Sequence, residues 1–186
     1  VYDRTNPETS ITLDKLAQEL VVGEGTQWLT ATASHCSPTS PPPFMAGFAE
    51  VEVDLETGET KVVDYVGVVD CGTVINKNLA RVQAEGGIAQ GIGMALLEDI
   101  NYDPKGQMVN STFMTYKIPC RTDLPEIRVE FEESYEPNGP FGAKSIGEVV
   151  INTPSPAIAQ AVYNATGVRV RSLPITAEKI LMGMEP

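Results

Sequence analysis

Four glycines fall inside one helical stretch of this 186-residue chain, and this limits its fold more than any other feature. The stretch runs from about Leu79 to Leu97 and contains Gly86, Gly87, Gly91 and Gly93. Each glycine costs a helix interior roughly 0.5–1 kcal/mol relative to alanine. A helix keeps four of them only where something large approaches its backbone. That neighbour is either a tightly packed helix or sheet, or a buried cofactor lying alongside; different glycines can serve each purpose. Gln90 is the polar side chain among them best placed to face a ligand.

The elements around this helix are mostly β. Phe48 to Leu55 alternates, with Val51 and Val53 on one side and Glu50, Glu52 and Asp54 on the other. Glu56-Thr57-Gly58-Glu59 supplies a turn with Gly58 at positive φ, and Lys61 to Asp70 returns as the second strand of a hairpin. One face of this sheet is expected to meet solvent. Ile127, Val129 and Phe131 alternate with Arg128, Glu130 and Glu132 and mark a further strand, while Met108 to Tyr116 reads equally as strand or loop. Thr12 to Leu20 predicts a short helix with Leu13, Leu16, Ala17 and Leu20 on its apolar face. Gly23 to Ser40 reads as irregular, with Trp28 as a lid over apolar surface, and Pro41-Pro42-Pro43 forces an extended backbone. Ser155 and Pro156 mark the cap and first turn of a helix that Gly167 ends, and Thr176 caps a last helix over Ala177 to Leu181. The fold class is therefore α+β: a mixed, hairpin-rich sheet packed against a long glycine-rich helix. It forms one domain over 1–186 or two small lobes, about 1–135 and 136–186.

Charge and cysteine usage exclude several functions. Acidic residues outnumber basic ones, 25 to 13, for a formal charge of −12. A field of that sign repels nucleic acid and anionic lipid, so neither nucleic acid nor membrane is expected as a partner. Cys36, Cys71 and Cys120 are an odd, widely spaced set, which argues against a disulfide framework, a zinc site or an iron–sulfur site built from this chain alone. The single histidine, His35, cannot form a histidine-rich metal cluster. No leader sequence is visible, and a cytoplasmic setting is expected.

The sharpest local signal is Pro137 to Glu148, which holds three glycines and two prolines in twelve residues. Glu148 lies between this loop and the apolar Val149-Val150-Ile151. Such a carboxylate can be held beside a cavity and partly desolvated, which raises its pKa towards that of a general base working near neutral pH. It can equally be a surface glutamate or a backbone cap. Gly142 and Gly147 can leave amides free for phosphate oxygens, whereas Lys144 in isolation reads as solvent-facing.

Taken together, Gly139-Pro140-Phe141-Gly142-Ala143-Lys144-Ser145-Ile146-Gly147-Glu148 with Pro154-Ser155-Pro156-Ala157-Ile158-Ala159 resembles the C-terminal active-site region of the molybdenum hydroxylases. That family includes xanthine dehydrogenases, aldehyde oxidoreductases and carbon monoxide dehydrogenases. Asp70 to Asn76, Ala84 to Gly93 and Arg171 to Thr176 resemble three further motifs of the same family, in the same order. The resemblance implies the molybdopterin-binding domain fold, with this chain as the C-terminal piece of a subunit several times longer. It implies Glu148 as the catalytic base that takes a proton from the molybdenum-bound hydroxide. It implies Gln90 as a hydrogen-bond partner of the pterin, with backbone groups of Lys144, Ser145, Ile146 and Gly147 near the pterin and its pyrophosphate. The metal would be held by the pterin dithiolene and by no protein side chain, and the cofactor would be the cytosine dinucleotide form. The rest of the molybdopterin-binding subunit, and 2Fe-2S and FAD subunits or domains, are the implied partners. The substrate is a small molecule with an electron-poor carbon: a purine, another N-heterocycle or an aldehyde. Alone, the piece is expected to be inactive. The competing readings are a non-catalytic molybdopterin-binding or assembly module, and a cofactor-free α+β interaction domain.

Overall fold

The computed structural model describes residues 1–22, 30–34 and 36–184. Trp28 and His35 lie outside the described residues. The chain divides into two compact units, Val1–Cys36 and Ser37–Pro186.

The first unit contains an antiparallel bridge between Tyr2 and Ser10 and helix α1, Leu13–Val22. Its expected apolar face is only partly covered. Leu16 and Leu20 are half-buried, Leu13 and Ala17 are exposed, and no residue of α1 is buried.

The second unit is built on a hairpin of β1, Phe44–Val53, and β2, Thr60–Asp70. The Asp54 carboxylate accepts the amides of Glu56 and Thr57 at 2.8 and 3.1 Å, which tightens the turn ahead of Gly58. Strand β1 begins four residues earlier than its alternation predicts, directly after Pro43, because Phe44 to Gly47 find partners in Gly67 to Asp70. Pairing steps from Glu50–Asp64 to Val51–Val62, so Val63 is the extra residue of a bulge. The bulge keeps Val62, 1% exposed, and Val51 on the core side and turns Val63 outward. The opposite face of β1 exposes Phe44, Phe48, Glu50 and Glu52.

Helix α2, Lys77–Leu96, follows β2. Asn76 caps it, its side-chain oxygen accepting the Leu79 amide at 3.0 Å. Residues 97–125 contain no strand; Met108 makes only an isolated bridge to Tyr102. The chain then returns as β3, Glu126–Phe131, parallel to β2. The sheet is thus three-stranded and mixed, in the order β1-β2-β3, with α2 as the crossover of a β-α-β unit.

The last third is more helical than expected. Val149–Asn152 forms a one-turn helix, α3, and α4 spans Pro154–Thr166. Pro154, not Pro156, therefore occupies the first position of α4, with Pro156 as its third residue, and Thr153 rather than Ser155 precedes it. Thr153 already has αR backbone angles, so the chain enters α4 directly from α3. Gly167 ends α4 at φ +75°. Helix α5, Ala177–Met184, begins after Thr176, whose hydroxyl accepts the Lys179 amide at 3.3 Å. Val62 and Tyr65 of β2, Ile88 and Ile92 of α2, Ile158 and Val162 of α4, and Ile180 of α5 form one core.

Candidate cofactor site

The end of β2 and the 137–148 loop meet beside the first turns of α2. The Thr73 amide donates to Gly142 O at 2.8 Å, and the Lys144 amide donates to Cys71 O at 2.7 Å. Gly72 pairs with Ala143 in an antiparallel bridge. Gly72 sits at φ +69°, and a Cβ on it would fall 2.9 Å from the Lys144 nitrogen. Both the angle and the close approach require glycine. Across this seam Phe141 holds φ +55°, a left-handed conformation that costs a residue with a side chain roughly 1–2 kcal/mol. The loop is therefore held by its docking rather than by its own preference.

A cavity of about 400 Å³ opens here. Its walls include Cys71, Thr73, Gln83, Lys144, Ile146 and Gly147. The Gln83 side-chain amide donates to Gly147 O at 3.1 Å and ties α2 to the loop.

Of the residues singled out by sequence, Lys144, Ile146 and Gly147 line this cavity. Ser145 and Glu148 are exposed and lie off its wall. Glu148 is thus not partly desolvated within this chain. Val150 turns inward as α3 begins and becomes fully buried, which leaves Glu148 outside at the helix start. Gln90 is also exposed and off the cavity. It follows Gln83 by two helical turns, roughly 10 Å, on the same side of α2. Gln83 is the residue that sequence reasoning missed. Its only sequence signal was its place on the same helical face as Gly86 and Gln90.

The four helical glycines divide by role. A Cβ at Gly87 would overlap Val150, one at Gly91 would lie 2.6 Å from Pro154 Cγ, and one at Gly93 would lie 2.7 Å from Pro119 Cδ. A Cβ at Gly86 would meet nothing within 4 Å. Three glycines therefore admit neighbouring side chains, whereas Gly86 leaves an open lane between Gln83 and Gln90.

The Lys144 side chain is not solvent-facing. It is 7% exposed, and its Nζ donates to Asp70 Oδ2 at 2.7 Å. Nζ also stands 5.3 Å from the centre of the Phe44 ring. Its ammonium is therefore engaged inside the chain. Burial pushes the Asp70 carboxyl up, but the Lys144 ammonium, the Gly72 amide and the Ser134 hydroxyl outweigh it, and the pKa lies below its ordinary 3.8. A depressed carboxylate contributes stability above its unfolded pKa and loses it as pH falls through the native value. The stability advantage of the wild-type chain over Asp70→Asn is therefore expected to shrink as pH falls below about 4. Urea midpoints at stepped pH check this; a gap unchanged down to the acid transition would refute it. Burial, with Asp70 and Glu133 nearby, pushes the Cys71 thiol up, so Cys71 forms an uncharged wall.

Among the described residues, no three His, Cys, Asp or Glu side chains gather to hold a metal ion, and no helix is long and apolar enough to cross a membrane.

Residues 1–125 match a family described as a molybdopterin cofactor-binding domain. A probable hypoxanthine oxidase of Escherichia coli (strain K12) is 36% identical over 176 residues, covering 94% of this chain and 18% of that protein. The aldehyde oxidoreductase molybdenum-binding subunit of the same organism is 40% identical over 140 residues, covering 74% of this chain and 19% of that protein. The reconstituted CO dehydrogenase from Oligotropha carboxidovorans has a TM-score of 0.78 at 25% identity, over 97% of this chain and 23% of that chain. The chain thus spans about a fifth of the length of these curated relatives. With most of its length matched, the chain belongs to the molybdopterin cofactor-binding domain family of xanthine dehydrogenases and aldehyde oxidoreductases.

Proposed function

We propose that this chain is part of a molybdopterin-dependent hydroxylase, with Glu148 as its general base. The reaction adds oxygen from water to an electron-poor carbon of a purine, another N-heterocycle or an aldehyde. The observation that carries this reading is the docked 142–147 loop. Its residues Lys144, Ile146 and Gly147 line one cavity together with Gln83 of α2, and Glu148 follows immediately after Gly147.

The residues fit the cofactor. Molybdopterin carries its own metal ligands, so the protein needs hydrogen-bonding groups and room rather than a cluster of metal-binding side chains. The open lane over Gly86, flanked by Gln83 and Gln90, offers a flat approach to the helix with an amide at each end. Backbone groups of Lys144, Ser145, Ile146 and Gly147 would contact the pterin and its pyrophosphate. When bound, the cofactor supplies the redox couple. Glu148 then takes up the proton released as the water-derived oxygen passes to the substrate carbon. Because Glu148 is exposed within this chain, the desolvation that tunes it would come from the remaining subunit. The cytosine dinucleotide form, iron–sulfur and flavin partners and a cytoplasmic setting complete the proposal. The names of the relatives, a hypoxanthine oxidase and an aldehyde oxidoreductase, support the substrate classes.

The test uses the complete enzyme. Gly86→Leu is expected to block the lane and lower molybdenum content per subunit, measured by elemental analysis. Gly86→Ala, which has free space and gains roughly 0.5–1 kcal/mol of helix propensity, is expected to melt no lower than wild type. Full molybdenum retention in Gly86→Leu would overturn the placement of the cofactor on this face.

A further inference from the structure

The ion pair of Asp70 and Lys144 differs from the other ion pairs among the described residues. Lys77–Glu133, Arg81–Glu85 and Arg128–Asp64 have side chains between 32% and 73% exposed. Exposed pairs of that kind contribute little. Lys144 is 7% exposed and Asp70 is 21% exposed. The Asp70 carboxylate is also fully engaged. Oδ1 accepts the Gly72 amide at 2.9 Å and the Ser134 hydroxyl at 2.7 Å, while Oδ2 accepts Lys144 Nζ at 2.7 Å.

These contacts join three separate stretches of chain: the end of β2, the segment after β3, and the loop that precedes Glu148. Phe44 closes the other side of the ammonium. Downstream, Val150 is buried against Gly87 of α2. Glu148 therefore hangs between two anchors, Lys144 before it and Val150 after it. Only the first depends on charge.

We propose that Asp70 is a positioning residue that acts through Lys144 to hold the 142–147 loop and thereby aim Glu148. This rests on the reading of Glu148 as the base. A buried ammonium left without its carboxylate has to find another partner or move toward water, and the loop moves with it. Misplacing a reacting group by about 1 Å can cost on the order of 10²-fold in rate.

The experiment is done in the complete, cofactor-loaded enzyme, with turnover normalised to molybdenum. Asp70→Asn is expected to lower kcat per molybdenum by roughly 10- to 100-fold, with KM unchanged; any loss of cofactor from the displaced loop is divided out by that normalisation. The double variant Asp70→Asn/Lys144→Gln, which restores a matched neutral pair, is expected to recover a large part of that loss. Loss of packing alone would lower molybdenum content and leave kcat per molybdenum constant, and that outcome overturns the proposal. If Asp70→Asn fails to assemble, Ser134→Ala removes one donor from the same carboxylate. It is expected to give a smaller fall in kcat per molybdenum, and no change there also overturns the proposal. Glu148→Gln measured in parallel separates the two claims. If it abolishes turnover while Asp70→Asn does nothing, only the positioning role fails. If it leaves turnover intact, the role of Glu148 itself fails.

Discussion

Glu148→Gln in the complete enzyme is expected to lower turnover by about 10²–10⁴-fold, the range for loss of a positioned general base, with molybdenum content and melting temperature as in wild type. Glutamine matches glutamate in size and keeps an acceptor oxygen but cannot take up the proton. The side chain is exposed at the start of α3 and makes no capping bond there, so its replacement disturbs no packing within this chain. Only the chemical step should suffer. Turnover per molybdenum near wild type would remove Glu148 from the mechanism. It would favour the alternative of a non-catalytic cofactor-binding module.

The second large effect is structural. Gly91→Val is expected to destabilise the protein by about 3 kcal/mol, the upper end of ordinary overpacking. For a chain of this size that corresponds to a fall of about 6–12 °C in Tm. The first β-carbon alone would lie 2.6 Å from Pro154 Cγ and 2.9 Å from its Cβ. A flexible side chain could rotate away, but a proline ring in the first turn of a helix cannot. Either α4 shifts away from α2, carrying Ile158 and Val162 out of the core, or the helix fails to form there. A Tm within a degree or two of wild type would mean that the α2–α4 contact is looser than the structure shows.

What was legible in the sequence was local. The alternation of Val51 and Val53 with Glu50 and Glu52, and the turn at Gly58, announce the hairpin because period and turn chemistry are encoded side by side. The parallel pairing of β3 with β2 has no such signature. It depends on α2 crossing the sheet, and nothing in Glu126 to Phe131 states which edge it will join. The start of α4 is ambiguous in the sequence because Pro154 and Pro156 both suit a first helical position. In the structure Val149–Asn152 is already helical, with Val150 buried against Gly87, and α4 begins directly after it at Pro154.

The site divides in the same way. The 142–147 loop stands out in the sequence through its glycines and prolines. Its partners do not: Gln83 and Gln90 share a helical face, and only the contact to Gly147 O distinguishes them. Lys144 looked like a solvated cation because its carboxylate partner is remote in sequence. The exposure of Glu148 follows from the direction in which α3 begins, which its apolar neighbours do not reveal.

The bridge between Gly72 and Ala143 joins segments separated by the whole of α2 and β3. Closing so long a loop carries an entropic cost that is recovered only once the intervening elements are in place. The seam that carries the cofactor loop should therefore be among the last parts to form during folding. The amides of Thr73 and Lys144, both donors across it, become natural reporters in hydrogen exchange. If their protection falls well below that of the Tyr65 and Ile88 core, the seam opens on its own, and the site can be lost and regained without unfolding the molecule.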